Sequence, residues 1–133
     1  MPARVPADLM SDETPFKVLG NAIMNDADRK LSELISQEES ETVEFKQKLP
    51  PESIISRILA AFANTKSGTL IIGVRDRGEL IGLTEDEAKV AHQRLNRVAR
   101  SLLSEAFDSG MTYVNGRWLV YITVEKLPNT YRP

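Results

Sequence analysis

Four cations stand where a chain could present them to a phosphate. Lys46 and Lys48 close an alternating stretch, and Arg75 and Arg77 bracket Asp76 at an Asp76-Arg77-Gly78 turn signal. Arginine offers a planar fork of donors and lysine a compact point charge, and both displace counterions from a polyanion. Arg75 and Arg77 are the better placed, since they flank a turn next to a carboxylate. Several other chemistries are closed by composition. With 0 Cys there is no disulfide, thiolate metal site or cysteine nucleophile. His92 is the single histidine, so neither a histidine metal pair nor a serine triad can be assembled, and it reads as a surface residue on a helix flank.

A formal net charge of −2 counts against a polyanionic partner, but the charge is unevenly spread. Residues 1–41 carry 4 Lys or Arg against 9 acids, and residues 42–133 carry 13 against 10, which makes an acidic leader of −5 and a body of +3. The leader is expected to fold over the basic face and compete with a polyanion. No apolar run approaches the roughly 18 residues of a membrane span, and the start lacks a secretory signal, so no membrane partner and a cytoplasmic address are expected.

The elements that must hold these residues follow from periodicity. Residues 1–25, with Pro2, Pro6 and Pro15, read as a flexible acidic arm, and 26–133 as one domain. Leu31, Leu34 and Ile35 mark a helix from Asp26 to near Gln37, capped by Asp26 or Asp28. Thr42–Gln47 alternates as a strand with Val43 and Phe45 inward. Pro51 opens a helix to Asn64 whose core face is Ile54, Ile55, Ile58, Leu59, Ala61 and Phe62. Thr69–Val74 is nearly continuous in apolar character and predicts a central strand. A hairpin to Glu79–Leu83 follows. Thr84 and Glu87 form a capping box for a helix to about Phe107. Met111–Val114 and Arg117–Glu125 pair across Asn115-Gly116, with Trp118, Val120 and Ile122 on one face as core. The fold class is α+β: a mixed, partly antiparallel sheet with helices packed against it. Arg94, Arg97 and Arg100 drift around the long helix and read as a solvated face with partners such as Glu87 and Glu105.

Three strings fall in one order: Glu39-Ser40 with Glu44-Phe45-Lys46, Ala61-Phe62-Ala63-Asn64-Thr65, and Ser67-Gly68-Thr69 through Gly73-Val74-Arg75-Asp76, followed by Gly82-Leu83. Together they resemble the Schlafen AlbA_2 domain signature. The resemblance is dense over Glu39–Leu83 and thinner beyond, and Tyr131-Arg132-Pro133 looks like a family turn after which more chain often follows, so the domain is expected to be truncated there. It implies a nucleic-acid-binding domain, RNA or DNA, of accessory or regulatory kind, including transcription regulation, with Lys46, Lys48, Arg75 and Arg77 as contacts. It also implies an alternative. Endoribonuclease members of the family use two glutamates and an aspartate that align with Glu39, Glu44 and Asp76, which would be catalytic and would bind Mg²⁺ or Mn²⁺ through oxygen ligands. Carboxylates at strand ends are ordinarily just solvated, and Glu39 sits in an acidic run. A third class is a protein-interaction module forming a homodimer. The family's paired glycine is Ser67-Gly68 here, which removes glycine's freedom at positive φ from the first position and weakens a phosphate cradle.

Overall fold

The computed structural model of the chain describes residues 26–36, 39–114 and 116–128. The arm at 1–25 and its expected competition for the basic face, Asn115 of the hairpin turn, and Tyr131–Pro133 lie outside them, as do the side chains expected to cap the first helix. Seven elements follow in order: α1 (Asp26–Ser36), β1 (Val43–Lys46), α2 (Glu52–Asn64), β2 (Gly68–Ile72), α3 (Glu85–Leu103), β3 (Phe107–Val114) and β4 (Arg117–Val124). The sheet order is β1-β2-β4-β3, with β1 and β2 parallel and the other pairs antiparallel. This is the expected α+β class, a mixed four-stranded sheet with three helices.

β2 lies inside the sheet and every residue in it is buried, which is why its sequence shows no alternation. One face packs against α2 and α3 through Ile55, Leu59, Leu70, Leu95, Val120 and Ile122. On the other, Leu31 and Ile35 of α1 meet Val43, Phe45, Ile71 and Leu119. Each large side chain so buried contributes about 1.5–3 kcal/mol. Gly68 lets the Phe62 ring pack against the start of β2, where a Cβ would fall 2.2 Å from a ring carbon. The capping box forms as expected: Glu87 N donates to Thr84 Oγ1, and Thr84 N to Glu87 Oε1. Lys66 and Glu41 meet at 2.8 Å between the loops flanking β1 and β2; the hydrogen bond first, and the charge second, hold the Glu41 carboxyl below its usual range and raise Lys66.

Several boundaries differ from expectation. On α2 the buried residues include Ala60 and Ala63, whereas Ala61 is exposed. Pro51 is the residue before the helix, and the cap at its far end is Thr65, whose Oγ1 donates to Ala61 O. α3 stops at Leu103 because Ser104 turns to φ 58, and Phe107 opens β3. Glu79–Leu83 is not a strand. Val74 and Leu80 form an isolated bridge, but Ile81 N and Gly82 N both donate to Gly73 O, so the chain curls instead of laddering. His92 is half-buried, and its Nε2 lies 3.1 Å from Ser109 Oγ, which itself donates to Asn96 Oδ1 at 2.5 Å; the expected surface histidine is a fastener between α3 and β3.

Candidate nucleic-acid interface

The parallel pair β1–β2, joined by α2, places both carboxyl strand ends at the same edge of the fold, the position where α/β crossovers commonly hold ligands. Gly73 N and Val74 N both donate to Lys46 O, so the chain leaving β2 is pinned against the end of β1. Gly73 makes the turn at φ 108, a conformation closed to residues with a side chain. Arg75 N then donates to Glu79 O and Gly78 N to Arg75 O, which closes a tight turn bearing Arg75, Asp76 and Arg77.

The result is an open polar hollow of about 460 Å³ lined by Glu39, Glu44, Phe45, Lys46, Gln47, Arg75 and Asp76. Five of the seven candidate site residues therefore meet at one place. The other two do not line it: Lys48 points into a neighbouring groove, and Arg77 is exposed on the turn. The lining holds three carboxylates and two cations. Lys46 Nζ lies 3.4 Å from Glu44 Oε2, and Arg75 Nη1 lies 3.0 Å from Glu79 Oε1. Both pairs are solvated, and such pairs are worth about 0–1 kcal/mol, so either cation is readily given up to a phosphate.

Glu39 has a different task. Thr69 N donates to Thr42 O and Gly73 N to Lys46 O, so the N–H groups of Val43 and Phe45 face away from β2. Ser40 O accepts from Val43 N, and Glu39 Oε2 accepts from Phe45 N at 2.9 Å. With Glu39 held to the backbone and Glu44 beside Lys46, no group of three or more His, Cys, Asp or Glu among the described residues is arranged to hold a metal ion. The three carboxylates share the hollow without converging as a ligand set.

A model of the family described as "Schlafen, AlbA_2" matches residues 39–132. The chain belongs to the Schlafen AlbA_2 family. No curated protein matches it. Among solved structures, the DIP2311 protein from Corynebacterium diphtheriae is similar to this AlbA_2 chain with a TM-score of 0.51 and 19% identity, over 78% of this chain and 26% of that one. The likeness is one of fold, and the chain spans about a quarter of that protein. Among the described residues, no helix of the AlbA_2 chain is long and apolar enough to cross a membrane.

On the long helix, Arg97 pairs with Glu52, and Arg100 with Glu105 at 3.5 Å and with the Phe107 ring at 6.0 Å, in line with a solvated, paired face. Arg94 departs from it. It borders the same groove as Lys48, with Leu49 and Val90, residues that sequence reasoning passed over. The available signal was Val90, an apolar residue on the polar side of the α3 stripe, left 45% exposed.

Proposed function

We propose that this AlbA_2 domain binds nucleic acid, RNA or DNA, at the hollow beyond β1 and β2, with Lys46 and Arg75 on phosphates and Lys48 and Arg77 flanking them. The observation that carries this reading is the meeting of Lys46 and Arg75, distant in sequence, on one open polar surface at the strand ends. Family membership supports the same class of partner. The test is fluorescence anisotropy with labelled RNA and DNA at low salt. Binding should fall at least tenfold in the Lys46→Ala, Arg75→Ala double variant, since both cations of the hollow are removed; an unchanged affinity would remove the hollow from the interface.

The endoribonuclease reading keeps one observation in its favour, that Glu39, Glu44 and Asp76 line the same hollow. Their oxygens are of the kind that Mg²⁺ and Mn²⁺ accept, but among the described residues they form no ligand set as arranged. Cleavage of tRNA with Mn²⁺ that disappears in Glu44→Ala would replace the binding reading with this one. Self-association in sedimentation without any RNA or DNA binding would favour the protein-interaction class.

A further inference from the structure

Beside the polar hollow, across the segment from Lys46 to Leu49, lies a groove of about 420 Å³ between the β1–α2 connection and the start of α3. Its walls are Leu49, Leu83, Val90 and Ala91, with Lys48 and Arg94 beside them. Val90 is the exposed large hydrophobic among the described residues. Neither Lys48 nor Arg94 makes an ion pair among the described residues. Two acids, Asp86 and Glu87, also line the groove, so its four charges balance, and Glu87 Oε1 accepts from Thr84 N in the capping box. An apolar slot with two cations that make no ion pair at its side suits a flat apolar body tethered to phosphates.

The two recesses adjoin. Lys46 and Gln47 line the hollow, and Lys48 and Leu49 line the groove. Lys46 and Lys48 are separated by at most about 7 Å of extended chain, the scale of one nucleotide step. Building on the nucleic-acid reading above, we propose that the groove receives an unstacked base of a single-stranded nucleic acid. The strand's backbone crosses the Lys46–Leu49 segment, with one phosphate at Lys46 and Arg75 and the next at Lys48 and Arg94. The base lies against Leu49, Leu83, Val90 and Ala91. A duplex keeps its bases stacked and out of reach of such a slot, so the domain prefers single strands.

The experiment compares three ligands by anisotropy at fixed salt: a single-stranded oligoribonucleotide, the same strand made abasic, and its perfect duplex. All carry phosphate, and the first alone presents a free base. The intact strand should bind about tenfold tighter than the other two, the scale of removing one base's apolar surface from water against aliphatic walls. Val90→Asn, an uncharged change at an exposed position, should bring the intact strand down to the abasic affinity without moving the thermal midpoint. Equal binding of intact and abasic strands, or a preference that survives Val90→Asn, overturns the base slot and leaves the phosphate hollow standing. No binding of any oligonucleotide overturns both. Phosphatidylserine vesicles bound in place of oligonucleotides, and released by Val90→Asn, would assign the groove to a lipid surface and overturn the proposal.

Discussion

At Glu44 a carboxylate stands 3.4 Å from the lysine proposed to hold a phosphate. A unit negative charge about 6 Å from a phosphate in watery surroundings costs about 0.7 kcal/mol. Glu44→Gln is therefore expected to tighten RNA binding about threefold in an anisotropy titration; Mn²⁺-dependent cleavage by the parent chain that this variant loses would mark a nuclease instead. Ser67 sits at φ 68, so the position does demand the conformation that the family's glycine supplies, and serine occupies it under strain. Ser67→Gly should raise the stability measured by urea unfolding by about 0.5–1 kcal/mol. Much of the site was readable residue by residue, because strings such as Glu44-Phe45-Lys46 and Gly73-Val74-Arg75-Asp76 stay together in space. What could not be read was the partner of each carboxylate. Glu39 looked like any member of an acidic run, and its bond to Phe45 N depends on the turn at Ser40–Val43.

Among the elements, α3 shows why local signals succeed or fail. Its start is fixed by the reciprocal bonds of Thr84 and Glu87, both visible in sequence; Thr84→Ala should cost about 1 kcal/mol, seen as a lower urea midpoint with an unchanged slope. Its end was missed because the stop is Ser104 at φ 58 rather than a glycine, and the residues after it do not announce a break. The curl after β2 was missed for another reason: Asp76-Arg77-Gly78 is a good hairpin signal, but Gly73 O takes both Ile81 N and Gly82 N and ends the ladder. Gly73 is the pivot of that curl. Gly73→Ala forces a side chain at φ 108 and sets a Cβ 2.8 Å from Leu119, so it should lose about 2 kcal/mol or more and, by moving Arg75, weaken RNA binding as well.

For the molecule as a whole, the net charge of −2 gives no surplus of cations, and the hollow itself sets Lys46 and Arg75 among three carboxylates, so the proposed binding rests on individual contacts and not on net charge. Two phosphates, one held at Lys46 and Arg75 and the next at Lys48 and Arg94, with Arg77 flanking, predict a slope of about −1 to −2 for log affinity against log salt with single strands. A slope near zero would point to a partner recognised without phosphates. The β1 edge carries a last consequence, for how this protein meets copies of itself. Its outward N–H groups are already taken by Ser40 and Glu39, so it offers no template for another strand, and β3 is the sole remaining border of the described sheet. A sheet with one border sealed can pair through the other only once. Any edge-to-edge pairing would therefore stop at two copies, and Glu39, read from sequence as a catalytic acid, acts here as a cap on a strand edge.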